Sequence, residues 1–387
     1  MRGTGLQLPR ATIGVSRWRR FRAAIDWPLI LTILVLCTVG LFNLYSATRG
    51  LRQQVKFDTQ CKWMIVGVIA FTVTTVIDYK AMVRLAWLGL AIAVGLVILA
   101  RLQGATGGNQ RHGETYRWLF VGPIGGQPSE LVKVMMILVL ARMFQDTEVG
   151  RYTPRALLLR LAGVGIPIVL IAIQPDLGTA SLITLMVLSV AFLSLPNVWP
   201  VVHVTIAGLA AIPLLWETMH EYQKNRIFGF IDCDANDPAI AATANCWHTT
   251  QSIFAVGSGK LTGKGYLEGT QNQFNFVPEH WTDFPYSVWA EEWGFVGSVF
   301  LLAVFAFLLI WILNIALSAR DRVGAVICLG VAAMTFWHVV VNVAMVLGIA
   351  PVVGVTLPFI SYGGSSLLIF FIAMGFVANV SLRKHGY

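Results

Sequence analysis

The polar stretch of residues 251–297 contains one acidic side chain in a setting that suits chemistry. Asp283 is flanked there by the aromatic residues Trp281 and Phe284. Burial beside apolar groups raises the pKa of a carboxyl and makes its ionised form a better proton acceptor. We therefore predict that Asp283 is a general base, with Glu279 as its nearest competitor for that role. The structural alternative is a helix cap or an interfacial turn.

A glycine-rich loop, SGKLTGKG at residues 258–265, has part of the pattern of a nucleotide-binding phosphate loop. The match fails because Ser258 stands where that pattern has its first glycine, and Gly265 stands where it has serine or threonine. We therefore expect no nucleotide. Lys260 and Lys264 could still hold a diphosphate by electrostatic attraction. The alternative is that the glycines only make the loop flexible.

Three further groups of polar residues lie at the ends of apolar runs. Glu130 and Lys133 are three residues apart, so they share one helix face at the entrance of a span. They either pair at the interface or face a cavity, and charge inside a membrane favours a functional role. Asp176 lies in a short turn, and Ser361 and Tyr362 lie in a glycine- and proline-rich turn, where ordinary turn or packing roles are the alternatives.

The seven histidines do not cluster, and none has the spacing of a metal ligand set. We therefore assign no residue as a metal ligand. A divalent cation, Mg²⁺ or Mn²⁺, held by carboxylates together with a substrate diphosphate is the open alternative.

The elements that must position these residues are membrane helices. Of 387 residues, 56% are hydrophobic and only 12% are charged, about half the charged share of a soluble protein. Apolar runs of about 20 residues are long enough to span a bilayer. Ten such runs are predicted at residues 27–48, 62–78, 83–101, 130–145, 157–174, 178–195, 199–216, 290–316, 324–349 and 364–382. The predicted fold class is an all-α polytopic membrane protein, with residues 27–387 as one ten-helix domain.

The charge pattern predicts the orientation of these helices. Six arginines precede the first run within residues 1–26, so this basic segment and, after ten spans, the C-terminus are placed in the cytoplasm. The long polar connection at residues 217–289 then lies outside. At the cytoplasmic face of the membrane, the six arginines serve as a topology signal and contact anionic membrane lipids. We therefore expect no nucleic acid partner.

Two of the five cysteines, Cys233 and Cys246, share the long external connection. In an oxidising periplasm these two thiols could form a disulfide. The alternative is two free thiols.

Seven motifs, taken together, resemble the SEDS family (shape, elongation, division and sporulation proteins), which includes RodA and FtsW. They are RW at 117–118, QPSELVK at 127–133, QPDLGTA at 174–180, QSIFAVGSGKLTGKGYLEGTQ at 251–271, FVPEHWTDF at 276–284, AEEWGFVGS at 290–298 and LPFISYGGSSLL at 357–368. They occur in the family's order over almost the whole chain, and residues 269–271 and 290–292 look more like RodA than FtsW. Gly125 and Gly126 depart from the family, which usually has an aromatic residue before QPSE.

The resemblance implies a peptidoglycan glycosyltransferase that polymerises lipid II into glycan strands at the outer face of the bacterial cytoplasmic (inner) membrane, for cell elongation and rod shape. It implies a class B penicillin-binding protein and the elongation machinery as partners. The essential acidic residue of the family's motif corresponds to Asp283. The residues expected to bind lipid II or the nascent glycan strand are Arg117, Gln127, Glu130, Lys133, Asp176, Gln251, Ser252, Lys260, Lys264, Glu279, Ser361 and Tyr362.

This reaction suits a site with one carboxylate. The leaving group is a lipid diphosphate, which departs as a stable anion, so a base is needed but no strong acid. Cations must meet the departing diphosphate, and Arg117, Lys133, Lys260 and Lys264 are the candidates. A lipid II flippase and a non-catalytic scaffold of the cell-wall machinery are the alternative functions.

Overall fold

The ten apolar runs are all helical in the computed structural model, which describes residues 25–49, 54–105, 117–121, 124–145, 154–195, 197–219, 221–231 and 244–384. In chain order its elements are α1 (Trp27–Thr48), α2 (Gln54–Val76), α3 (Tyr79–Arg84), α4 (Ala86–Ala105), β1 (Leu119–Val121), β2 (Ile124–Gly126), α5 (Pro128–Met143), α6 (Pro154–Ile173), α7 (Leu177–Ser194), α8 (Trp199–Ala210), α9 (Ile212–Thr218), α10 (Glu221–Ile231), α11 (Ala244–Ser258), α12 (Thr270–Gln273), α13 (Pro285–Leu317), α14 (Arg322–Val346) and α15 (Gly364–Arg383).

The predicted polytopic architecture is confirmed. Among the described residues, seven helices are long and apolar enough to cross a membrane: α1, α2, α4, α7, α13, α14 and α15. The other three predicted spans correspond to α5, α6 and the pair α8–α9, which are shorter or less uniformly apolar. Large apolar side chains such as Ile65 on α2 and Ile310 on α13 remain exposed, as a surface that faces lipid requires.

Two helices begin at least five residues earlier than the sequence predicted. α2 begins at Gln54 instead of residue 62, so Lys56 belongs to its first turn and not to an external loop. α13 begins at Pro285 instead of residue 290, and proline is well suited to the first turn of a helix. In both cases the first turns carry polar or aromatic residues, so a search for apolar runs misses them.

Helix α14 lies at the centre of the bundle. It packs against α5, α7, α13 and α15, while α15 also runs along α2 and α5 along α4. Close packing depends on small residues here, because a Cβ at Gly330 of α14 would lie 2.7 Å from Ile137 Cγ2 of α5.

The start of the first helix and the end of the last helix lie on the same face of the bundle. The carboxylate of Asp26, before α1, accepts hydrogen bonds from Ser381 Oγ at 2.7 Å and from Trp311 Nε1 at 2.6 Å. The N-terminal end of α1 and the C-terminal end of α15 therefore lie together, as an even number of spans requires, on the face that the charge pattern predicts to be cytoplasmic.

The long connection at residues 217–289 contains the short helices α10, α11 and α12. The small antiparallel pair β1–β2, in which Leu119 pairs with Gly126, was not predicted from the sequence. Cys246 is buried, with its thiol 3.6 Å from the Gly229 carbonyl oxygen. Cys233 and residues 1–24 lie outside the described residues, so the disulfide and the basic segment stay predictions.

Helix α13 is interrupted at Gly294, whose φ of 63° and ψ of −159° are not helical. The glycine-rich loop fills the interruption through backbone hydrogen bonds. The Lys264 amide donates to the Glu291 carbonyl at 3.0 Å, and the Phe295 amide donates to the Lys260 carbonyl at 2.9 Å. The loop therefore supplies hydrogen-bond partners for the backbone groups at the break, and it holds the first two turns of α13 in place.

We expect Gly294→Ala to lower the melting temperature in detergent by several degrees. A side chain at φ 63° and ψ −159°, a conformation that essentially only glycine adopts, costs about 1–3 kcal/mol, and the new Cβ would also lie 2.3 Å from the Gly263 amide nitrogen. Gly95→Ala, in α4, is the matched control because a Cβ there meets no atom within 4 Å. Equal melting temperatures for the two variants would contradict the conclusion that the break in α13 requires glycine at position 294.

Candidate active site

A cavity of about 850 Å³ lies between α2, α5, α7, α14, the segment before α13 and the segment before α15. It brings together residues that are far apart in the sequence. The predicted site residues that line it are Arg117, Gln127, Glu130, Lys133, Glu279, Asp283 and Tyr362. The lining residues that the sequence analysis did not single out include Lys56, Trp63, Arg226, His338, Ser365 and Ser366.

Asp283 lies in the cavity wall just before α13. Its amide donates to the Glu279 carbonyl at 3.0 Å, and its carbonyl accepts from Asn342 Nδ2 at 2.9 Å, so its backbone is held on both sides. No described residue donates a hydrogen bond to its carboxylate. The cap of α13 is Phe284, which excludes the helix-cap alternative for Asp283. Its carboxylate is therefore available to a substrate.

Desolvation by the surrounding protein raises the pKa of Asp283 to about 6, and the negative charge of Glu279 adds to the effect. Arg226 and Arg117 act in the opposite direction. A carboxylate with a pKa near 6 is ionised at neutral pH yet remains a useful proton acceptor.

Glu279, the competing base, also borders the cavity but is exposed. Its backbone is left-handed, with φ 50°, and its carbonyl accepts the amides of Thr282 and Asp283 at 3.0 Å each. Its Oε2 accepts from Thr282 Oγ1 at 3.1 Å. Glu279 therefore forms the tight turn that presents Asp283.

Asp176 lies behind the cavity wall and is buried. It caps α7 by accepting the Thr179 amide at 3.3 Å, and its other oxygen accepts from Gln127 Nε2 at 2.9 Å and Ser129 Oγ at 3.3 Å. Arg117 NH1 is 3.5 Å from Oδ1. Asp176 thus orients two residues that do line the cavity, Arg117 and Gln127.

The most buried charged residue on the cavity wall is Lys133. Its Nζ lies 2.8 Å from Glu130 Oε1, as the spacing of three residues predicts, and 3.0 Å from His338 Nε2. Lys133, Glu130 and His338 are all buried. His338 gave no signal in the sequence because it is a single histidine inside an apolar run.

Lys56 is a second cation that the sequence analysis missed. Its ammonium lies 3.4 Å from the centre of the Trp281 ring and 5.9 Å from that of Tyr362. The Tyr362 amide donates to the Trp281 carbonyl at 2.8 Å, which holds the two aromatic residues together. Within the described part of the chain, no carboxylate forms an ion pair with Lys56, so its charge is available to an anion in the cavity.

Two predicted phosphate-binding lysines lie elsewhere. Neither Lys260 nor Lys264 lines the cavity. Lys260 is exposed, and Lys264 Nζ lies 2.6 Å from Oε1 of Glu291, which is fully buried. The same carboxylate accepts the Gln271 amide at 2.9 Å. Lys264 therefore neutralises a structural carboxylate.

Three other predicted residues support the cavity from outside. Gln251 and Ser252 are buried in α11, and Ser252 Oγ donates to the Val346 carbonyl of α14 at 2.9 Å. Ser361 Oγ accepts the Leu357 amide at 2.7 Å and so fixes the turn beside Tyr362.

One of the two glycines that depart from the resembled family, Gly125, lies at the cavity rim beside an aromatic ring. Gly125 lines the cavity, and a Cβ there would lie 2.6 Å from the Phe120 ring on the paired strand β1. The Phe120 ring thus occupies the space beside Gly125.

We expect Lys264→Met to destabilise the protein by about 3 kcal/mol, because it leaves the buried Glu291 carboxylate without its counter-ion. Lys260→Met, a change of the same kind at an exposed position of the same loop, should have little effect. Thermal unfolding in detergent measures both. If Lys260→Met is the more damaging variant, the structural role of Lys264 is wrong.

Comparisons with known proteins agree with this architecture. A family model described as "Cell cycle protein" and covering FtsW, RodA and SpoVE matches residues 27–386. The peptidoglycan glycosyltransferase MrdB of Escherichia coli (strain K12) is 42% identical over 69% of this chain and 71% of its own length. The peptidoglycan glycosyltransferase RodA of Treponema pallidum (strain Nichols) is 29% identical over 93% of this chain and 98% of its own.

Solved structures give the same result. The rod shape determining protein RodA of Thermus thermophilus matches with a TM-score of 0.68 at 26% identity, covering 94% of this chain and 99% of its own. A chain from a study entitled "Structural coordination of polymerization and crosslinking by a peptidoglycan synthase complex" matches with a TM-score of 0.75 at 28% identity and the same coverage. The chain therefore belongs to the cell cycle protein family of FtsW, RodA and SpoVE.

Proposed function

We propose that this chain polymerises lipid II by an inverting glycosyl transfer in which Asp283 is the general base. The observation that carries the proposal is the Asp283 carboxylate, which accepts no hydrogen bond from any described residue and faces a cavity whose other walls carry Lys56, Lys133 and Arg117. A base on one side and cations on another are what transfer from a lipid diphosphate requires.

The wider function agrees with the family. The chain is a peptidoglycan glycosyltransferase and a multi-pass protein of the bacterial inner membrane, and one similar solved structure is that of a rod shape determining protein. The flippase and scaffold alternatives do not account for the names of these relatives.

In the proposed reaction, the C4 hydroxyl of one N-acetylglucosamine attacks the anomeric carbon of a lipid-linked N-acetylmuramic acid. Asp283 accepts the hydroxyl proton as the new C–O bond forms. The bond from the anomeric carbon to the diphosphate breaks, and the electron pair leaves with the lipid diphosphate. Lys133 and Lys56 stabilise that anion, and attack opposite the leaving group inverts the anomeric centre.

A divalent cation, Mg²⁺ or Mn²⁺, enters this proposal only with the substrate. The described residues contain no group of three or more His, Cys, Asp or Glu side chains that could hold a metal ion. Such an ion would depend on oxygen ligands from the diphosphate, with few protein carboxylates added. No step of the proposed reaction depends on it.

We also propose a class B penicillin-binding protein as the partner of this chain, within the elongation machinery. The support is the similar chain from a peptidoglycan synthase complex that coordinates polymerisation and crosslinking.

We expect Asp283→Asn to reduce glycan synthesis from lipid II in detergent by at least about a hundredfold, because an amide cannot accept the proton. Glu268→Gln removes an exposed carboxylate of the same external region and is the control with unchanged rate. Activity of Asp283→Asn near that of the wild type would exclude Asp283 as the base. If only Glu279→Gln is inactive, the role belongs to Glu279.

The pH dependence offers a second measurement. Because the base acts ionised and the pKa of Asp283 is raised to about 6, kcat/KM should fall about tenfold per pH unit below about pH 6. A profile that stays flat down to about pH 5 would show that Asp283 is not desolvated or not the titrating group. Lipid II polymerisation between about pH 5 and 8 provides the profile.

A further inference from the structure

The buried ammonium of Lys133 has three protons to donate. The described residues supply acceptors for two of them, Glu130 Oε1 at 2.8 Å and His338 Nε2 at 3.0 Å. Lys133 also lines the cavity, although only 1% of its side chain is exposed. Its third proton is therefore the one that a substrate anion can accept.

The partners of His338 determine its tautomer. Nδ1 lies 2.9 Å from the carbonyl oxygen of Thr356, which can only accept a hydrogen bond, so Nδ1 carries the proton. Nε2 faces the Lys133 ammonium, which can only donate, so Nε2 is the acceptor. Both ring nitrogens are thus occupied, and the imidazole is neutral in this arrangement.

The ring itself cannot turn freely. His338 is 1% exposed and packs edge-on against Phe370, with ring centres 4.9 Å apart. Glu130 alone would fix the long Lys133 side chain at one point, whereas His338 adds a second, rigid point from another helix. The direction of the third proton then depends on His338.

We propose that His338 is a positioning residue, which holds the Lys133 ammonium so that its free proton points at the diphosphate of the lipid substrate. This rests on the proposed function, since it names how one cation of that site is oriented. His338 itself touches no reacting atom in this proposal.

The test is a double-mutant cycle on binding of undecaprenyl diphosphate to the full chain in detergent. His338→Phe keeps a flat ring against Phe370 but removes the acceptor, and it should weaken binding about tenfold. In a Lys133→Met background the same change should weaken binding less than about twofold, because the group that it positions is gone.

His338→Gln provides rescue, because its amide can donate to the Thr356 carbonyl and accept from Lys133, so affinity should stay within about threefold of the wild type. His203→Phe is the matched control: that histidine is exposed on α8, with Nδ1 2.7 Å from the Trp199 carbonyl, and does not line the cavity. It should leave affinity unchanged.

Equal losses from His338→Phe in the two backgrounds would overturn the proposal in favour of simple packing, and so would failure of His338→Gln to rescue. These readouts need no turnover. A wild-type chain that binds the lipid diphosphate with the predicted cycle but makes no glycan would contradict the proposed function and leave the role of His338 intact.

Discussion

An ammonium group buried in an apolar bundle must be paired, and the pairing of Lys133 organises the inner end of the cavity. Its two partners come from different helices, Glu130 from α5 and His338 from α14. His338 in turn donates to the Thr356 carbonyl in the segment before α15. Removal of one partner of such a buried group costs about 3–5 kcal/mol. Because the buried charge of Lys133 must be paired, three separate parts of the chain, α5, α14 and the segment before α15, come together in one wall of the cavity.

At Asp283 the opposite holds, because in the proposed reaction its carboxylate must be free to accept a proton, and no described residue donates a hydrogen bond to it. Its position is set through the backbone, by the turn at Glu279 and by the first two turns of α13. Those turns are anchored at Glu291, whose buried carboxylate accepts from Lys264 and from the amides of the segment around α12. The glycine-rich loop thus positions Asp283 indirectly, because it stabilises the start of α13, which follows Asp283.

The parts of this site that the sequence could predict are those recorded in local patterns. The spans follow from apolar runs, the Glu130–Lys133 pair from spacing on one helix, and Asp283 from an acidic residue among aromatics in a polar stretch. Lys56 and His338 could not be predicted in this way. Their roles depend on contacts with Trp281 and Lys133, 225 and 205 positions away in the chain.

The same limit explains why Lys264 carried a prediction of phosphate binding. A lysine in a glycine-rich loop has the local pattern of an anion site, while its actual partner, Glu291, lies 27 residues further on. The sequence does not show that helix packing buries the Glu291 carboxylate completely. Burial of charge is decided by tertiary structure, so it is visible only once the helices are assembled.

One face of α14 connects the two ends of the cavity. His338 and Asn342 are four residues apart, so their side chains are neighbours on one face of the helix. His338 contacts Lys133, whereas Asn342 Nδ2 donates to the carbonyl of Asp283 at 2.9 Å and to that of Val355. A single rigid helix turn thus fixes the spacing between Lys133 and Asp283, which in the proposed reaction are the cation at the leaving group and the carboxylate that accepts the proton. Because the two groups must act on opposite sides of one anomeric carbon, a fixed spacing is what an inverting transfer requires.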